Sequence, residues 1–153
     1  MPNTYTQLYI HCVFAVKYRA AVIDEDWASR LHHYITAIVH NNGHKMYAIN
    51  NMPDHMHLLM GLNPNQSVSE AMKLVKGDSS EWVNKEKLTG QKFFWQEGYG
   101  AFSYSKSQTD SVVKYILNQQ EHHKKVGFQE EYRKMLNDFA IDYDEKYLFT
   151  PLL

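Results

Sequence analysis

The order in which two hydrophobic periods alternate along the chain limits its fold more than any other feature. Residues 5–16, "YTQLYIHCVFAV", have a two-residue period that puts Leu8, Ile10, Cys12, Phe14 and Val16 on one strand face and Tyr9, His11 and Val13 on the other. Residues 24–42 switch to helical spacing through Trp27, Leu31, Ile35 and Ile38, with Asp24 as N-cap and Gly43 after "NN" as terminator. Segments 44–50 and 54–61 return to strand character around the turn residues "NNMPD". Ser67 and Glu70 have capping-box spacing and predict a second helix from there to about Asn84. "KEKLTGQK" reads as a loop, and residues 92–105 as two short strands around Gly98 and Gly100. A third helix is predicted from about Gln108 to Val126, capped by Ser107 and closed by Gly127, followed by a short helix near 129–139 and an acidic tail. The first six elements, β-α-β-β-α-β, are the split βαβ order of a ferredoxin-like α+β fold. Its antiparallel sheet would carry two helices on one face, with the third helix crossing the other. No linker or repeat divides the chain, so one domain over residues 1–153 is expected.

Composition narrows the class. At 44% hydrophobic and 14% aromatic residues the chain can build a core. Its one cysteine, Cys12, excludes a disulfide framework and a thiolate zinc cluster, which fits a reducing compartment. No signal-peptide layout and no apolar run of membrane-spanning length is seen, so a soluble cytoplasmic protein without a membrane partner is expected. The net charge of −1 is not that of a generic nucleic-acid binder. Contacts to phosphate would have to come from local pairs: Lys17 and Arg19, Lys73 and Lys76, Lys124 and Lys125. Each pair reads equally well as a solvated surface. The aromatic run Phe93, Phe94, Trp95, Tyr99, Phe102 and Tyr104 offers either core or stacking surfaces for unpaired bases.

"MPDHMHLLM", residues 52–60, places His55 and His57 on one face of a strand and Met56, Leu58 and Met60 on the other. Two adjacent imidazoles can chelate a divalent ion, or simply decorate a solvated sheet face. In "VVKYILNQQEHH", residues 112–123, Tyr115 and Gln119 lie one turn apart on one helix face. They read as a phenol and an amide aimed at the histidines, or as a core tyrosine with a surface glutamine. His32/His33 and His122/His123 read as solvated helix pairs. His11 falls on the His55/His57 face if the strands are neighbours, and reads as structural.

"YIHCVFAVKYR" (9–19), "MPDHMHLLMGL" (52–62), "MKLVKGDSSEW" (72–82), "FWQEGYGAFSYS" (94–105) and "YILNQQEHH" (115–123) together resemble one family. It is the single-tyrosine HUH transposases of the smallest insertion sequences, the TnpA type, with their chromosomal relatives, the REP-associated tyrosine transposases. The resemblance implies that His55, His57 and Gln119 hold a divalent metal, Mg²⁺ or Mn²⁺, and that Tyr115 is the nucleophile. It implies cleavage and rejoining of single-stranded DNA at hairpin-marked element ends through a 5′-phosphotyrosine link. It also implies a homodimer, with the tyrosine helix acting in cis or in trans, and a nucleoid-associated location. Imidazole donors would favour manganese over magnesium. A phenol with a free pKa of about 10 needs a metal or base beside it, and no dedicated base stands out in the sequence. Energy kept in the covalent link makes ATP unnecessary, consistent with the lack of a P-loop motif. Two rival readings are a ferredoxin-like nucleic-acid-binding module without chemistry, including a domesticated relative, and a metal-dependent hydrolase that uses water.

Overall fold

Each alternating segment becomes a strand because both of its faces find a cover. The computed structural model describes residues 3–148. Its sheet contains β1 (Tyr9–Ala15), β2 (Lys45–Met52), β3 (His55–Gly61) and β4 (Gly100–Tyr104) in the order β2-β3-β1-β4, and every pairing is antiparallel. This is the ferredoxin-like arrangement that the element order predicts. Register sets Val13 opposite His57 and His11 opposite Leu59, so His11, Val13, Ala15, His55, His57 and Leu59 share one face.

The opposite face, with Cys12, Phe14, Met56, Leu58 and Met60, packs under α1 (Glu25–Asn41) and α2 (Val68–Lys85). Asp24 caps α1 as predicted, its carboxylate accepting from the Asp26 N–H at 3.2 Å. Trp27, Leu31, Ile35, Ile38 and Val39 are the buried stripe. Gly43 ends the helix region with φ +81°, a conformation that favours glycine, and an added Cβ would lie 2.6 Å from Asn63 Nδ2. At α2 only half of the predicted capping box forms: Ser67 Oγ accepts from the Glu70 N–H at 3.1 Å.

The predicted strand pair in 92–105 is reduced to β4 alone. Residues 92–99 contribute only a bridge between Trp95 and Val16. The polar groups of this segment are taken by α2 instead. Asn84 Oδ1 accepts from the Phe93 N–H at 2.6 Å, Asn84 Nδ2 donates to the Phe93 carbonyl at 3.0 Å, and Trp95 Nε1 donates to Ser79 Oγ at 2.9 Å. Phe93, Trp95 and Phe102 are core residues, whereas Phe94 is exposed, with the Lys17 and Lys92 ammonium groups 5.4 and 5.2 Å from its ring centre.

The long third helix expected over 108–126 is broken. α3 (Thr109–Leu117) ends at Asn118, and α4 (Gln119–His122) restarts at once. The cap lies earlier than Ser107: Ser105 and Gln108 form the capping box of a 3₁₀ turn at Lys106–Gln108 that leads into α3. Gly127 is the N-cap of α5 (Phe128–Asp138), not a terminator. A short α6 (Glu145–Leu148) follows in the acidic segment. The break has a donor: Asn50 on β2 gives its amide to the carbonyls of Ile116 and Leu117, at 3.0 and 3.3 Å. α3 crosses β2 and β3 with Val112 and Ile116 over Leu59, and α5 covers Val13, Ala15 and Phe102 with Phe128, Met135 and Leu136. Gly100 permits the close approach of α5, since a Cβ there would meet Tyr132 Cε1 at 2.6 Å. The histidine face is therefore roofed and not open to solvent.

Candidate active site

His55 and His57 stand side by side on β3, ring centres 5.2 Å apart, and both are completely buried. Neighbours orient each ring. His55 Nδ1 lies 2.7 Å from Asp54 Oδ1, which turns Nε2 inward. His57 Nδ1 lies 2.8 Å from His11 Nε2, which does the same for His57. His11 thus positions His57 and does not face the centre itself.

The broken helix brings the second pair in. Tyr115 lies in the last turn of α3 with its ring centre 5.8 Å from that of His57, and Gln119 begins α4 with its side chain fully buried. Gln119 Oε1 has no hydrogen-bond partner, while its Nε2 donates to Glu131 Oε2 at 3.2 Å. All four residues that the sequence singles out for chemistry thus converge on one centre.

Sequence reasoning missed two members of this centre. His123, expected as half of a solvated pair, turns inward with its side chain only 6% exposed, and its Nε2 lies 3.1 Å from His55 Nε2. His122 is the more exposed of the pair and packs its ring against Tyr115, centroids 5.2 Å apart. Glu131, projecting from α5, is the hub. Its Oε1 faces His57, His123 and His55 Nε2 at 3.1, 3.2 and 3.5 Å. Its Oε2 accepts from the Tyr115 hydroxyl and from Gln119, with His122 Nε2 at 3.1 Å. The i, i+4, i+8 spacing of Tyr115, Gln119 and His123 was a visible signal for His123. Nothing local to Glu131 marks it.

The electrostatics follow from burial and these contacts. Burial lowers the pKa of His57, and it lowers that of His11 well below the ordinary imidazole value, with His57 adding to the effect. At His55 burial pulls the same way, but Asp54 and Glu131 outweigh it and raise the pKa. Burial would raise Glu131, yet hydrogen bonds from His123, His55 and His57 hold it far below the usual carboxylate range, so it is a carboxylate. Burial, and then the adjacent Glu131 charge, push the Tyr115 phenol far above its ordinary value, so it is a neutral donor.

Two depressions open on the rim and share Ser111, Tyr115, His122 and Val126. One, of about 680 Å³, continues to Glu131, Lys134 and Phe139; the other, of about 820 Å³, continues to Lys114 and Lys125. Of the lysines expected at phosphate, Lys125 lies on this rim. Lys124 is paired with Glu121 at 2.9 Å, and Lys73 is exposed on α2. Lys76 is committed elsewhere, donating to the carbonyls of Gln96 and Gly98 at 2.7 Å each. Lys17 and Arg19 lie in a 3₁₀ turn after β1, in which Tyr18 and Arg19 have φ of 60° and 53°. Among the described residues no helix is long and apolar enough to cross a membrane.

The family profile described as "Transposase IS200 like" matches residues 4–119. The chain is 32% identical over 119 residues to the ISDra2 transposase TnpA of Deinococcus radiodurans, covering 74% of this chain and 84% of that protein. The crystal structure of a candidate transposase from Deinococcus radiodurans superposes with a TM-score of 0.61 at 27% identity, over 76% of this chain and 94% of that one. The REP-associated tyrosine transposase bound to a REP hairpin shares the fold, with a TM-score of 0.61 at 16% identity over 81% and 73% of the two chains. On the profile match and the shared identity, the chain belongs to the IS200-like family of transposases.

Proposed function

We propose that this transposase cleaves and rejoins single-stranded DNA at hairpin-marked element ends through a covalent 5′-phosphotyrosine intermediate, with Tyr115 as the nucleophile. The observation that carries the reading is the meeting of Tyr115, His55, His57 and Gln119 around one buried carboxylate. The Tyr115 oxygen attacks a backbone phosphorus. The bond from that phosphorus to the 3′ oxygen breaks, and the DNA leaves with a 3′-hydroxyl. Attack by a 3′-hydroxyl on the phosphotyrosine reverses the step and joins new ends. The tyrosine proton has an acceptor in place, because the phenol already donates to Glu131 Oε2.

The donor set fits a divalent ion, Mn²⁺ or Mg²⁺. His55 and His57 direct Nε2 inward, and Gln119 Oε1 is buried without a partner. A bound ion would neutralise charge gathering on the non-bridging phosphate oxygens. Lys114 and Lys125, lining the depression of about 820 Å³, supply positive charge where single-stranded DNA would approach Tyr115, while Lys134 in the other depression is paired with Asp138 at 2.7 Å. Lys17 with exposed Phe94 offers a second contact, a cation beside a stacking ring. Lys73, Lys124 and Arg19 remain more distant phosphate contacts in this reading.

Two ends must be held together for joining, so the working unit in this reading is a homodimer. Within that dimer the tyrosine acts either in cis or in trans. Mixing Tyr115→Phe with His57→Ala protein tests this: heterodimers recover activity only if the tyrosine acts in trans. The primary experiment incubates the protein with labelled oligonucleotides from both flanks of its gene, with manganese or magnesium, on a denaturing gel. A metal-dependent protein–DNA band lost in Tyr115→Phe, with hairpin binding retained, is expected. Equal adduct in Tyr115→Phe removes Tyr115 from the reaction. Strand cleavage without any adduct favours the water-using hydrolase.

A further inference from the structure

We propose that His123 and Glu131, both beyond the family-matched residues 4–119, complete the metal site with His55 and His57. The inference rests on the metal-assisted reading above and adds residues to it.

The geometry is that of a coordination shell. One donor atom from each of His55, His57, His123 and Glu131 falls within 4.8 Å of every other. The shortest separations are 3.1 Å for His55 Nε2 to His123 Nε2, and 3.1, 3.2 and 3.5 Å from Glu131 Oε1 to His57, His123 and His55. Four ligands about 2.0–2.1 Å from a shared ion lie about 3.3 Å apart at tetrahedral angles, and somewhat closer at octahedral ones. The four shortest edges match that range, and the other two, His55–His57 and His57–His123, lie within 4.8 Å.

The groups behind the donors are equally telling. Asp54 and His11 take the far nitrogens of His55 and His57, so both imidazoles present Nε2 to the centre. In the neutral tautomers protonated at the far nitrogens, these inward-facing ring nitrogens and the carboxylate oxygen offer a set of lone pairs that a cation satisfies. Glu131 splits its functions between its oxygens. Oε1 belongs to the imidazole cluster, and Oε2 holds the Tyr115 hydroxyl and Gln119 Nε2. The nucleophile is thereby tied to the metal site through one carboxylate. Gln119 keeps Oε1 free toward the same centre. Three nitrogens and a carboxylate select a first-row transition ion, with cobalt or zinc bound more tightly than manganese and manganese more tightly than magnesium.

The test titrates metal-depleted full-length protein with MnCl₂ by calorimetry, and follows CoCl₂ by visible absorption. Wild type is expected to take one ion per chain. Glu131→Gln and His123→Asn are each expected to weaken binding by about tenfold or more and to alter the cobalt spectrum. If both variants bind like wild type while His57→Ala does not bind, the proposal is overturned and the two-histidine site stands. If wild type binds no ion, the metal-assisted reading fails with it. Should a variant not fold by circular dichroism, X-ray absorption of manganese-loaded wild type decides. Three imidazoles in the shell support the proposal, and two overturn it.

Discussion

Asn50→Ala probes the feature that sets the tyrosine and the glutamine in place. Asn50 Nδ2 donates to the carbonyls of Ile116 and Leu117 at 3.0 and 3.3 Å and to Gln120 Oε1 at 2.9 Å, and Gln120 Nε2 returns a bond to Asn50 Oδ1 at 3.1 Å. These contacts sit at the break between α3 and α4, where carbonyls would otherwise lack helical partners. Each such bond contributes about 0.5–1.5 kcal/mol, and the side chain is half-buried, so water replaces part of the loss. The expected destabilisation is about 1–2 kcal/mol, or a Tm drop of about 2–8 °C for a domain of this size. Without Asn50 the segment is free to straighten toward a continuous helix, which moves Gln119 and His123 relative to Tyr115. A displacement of about 1 Å at a reacting centre can cost about 100-fold in rate. Urea unfolding and the rate of adduct formation, measured below the variant's Tm, read the two effects. A double-mutant cycle with Gln120→Ala should show coupling of about 0.5 kcal/mol or more. A stability change under about 0.3 kcal/mol with an unchanged adduct rate would refute the idea that Asn50 holds the break.

Leu59→Ala removes a completely buried side chain beneath Val112 and Ile116, and urea unfolding should show a loss of about 2–5 kcal/mol; a loss below 1 kcal/mol would mean that α3 does not seat on this face. The metal-free protein should lose stability as pH falls from 7.5 to 5.5. His11 and His57 have lowered folded pKa values, so the unfolded chain takes up protons there that the native state refuses. His32, lowered by burial, acts the same way, and His55, with its raised pKa, opposes. One net proton gives a slope of about 1.4 kcal/mol per pH unit at its steepest, and urea midpoints in the presence of a chelator that stay flat or rise on acidification would contradict the neutral pair. Gly100→Ala should shift Tyr132 and with it α5, lowering Tm and weakening manganese binding together, because a Cβ would meet the Tyr132 ring at 2.6 Å; manganese calorimetry with unchanged affinity would separate α5 from the site.

Much of the architecture was legible in the sequence because it is local. A two-residue period, Asp24 before a helical stripe and Gly43 after it are short-range signals. The ferredoxin-like order follows from their succession, as does the shared face of His55 and His57. Tyr115 and Gln119 were legible for the same reason, being one helical turn apart. The first of the two strands expected in 92–105 did not form because α2 side chains take polar groups of that segment, a long-range contact invisible in the segment itself. The break in the third helix was not legible for the same reason, since the carbonyls at the break are taken by an amide on β2.

The sequence by itself determined the β-α-β-β-α-β order and the single sheet face shared by the paired histidines, and it placed a tyrosine and a glutamine on one helix face. Only the tertiary structure decided that this face is buried, that His11 and Asp54 orient the rings, and that His123 turns inward. It alone brought Glu131, 74 residues beyond His57, against both the histidines and the tyrosine hydroxyl. Periodicity reports which side of an element a residue occupies. Which sides meet depends on how helices seat on the sheet, and that is set by packing and by polar groups finding partners far along the chain.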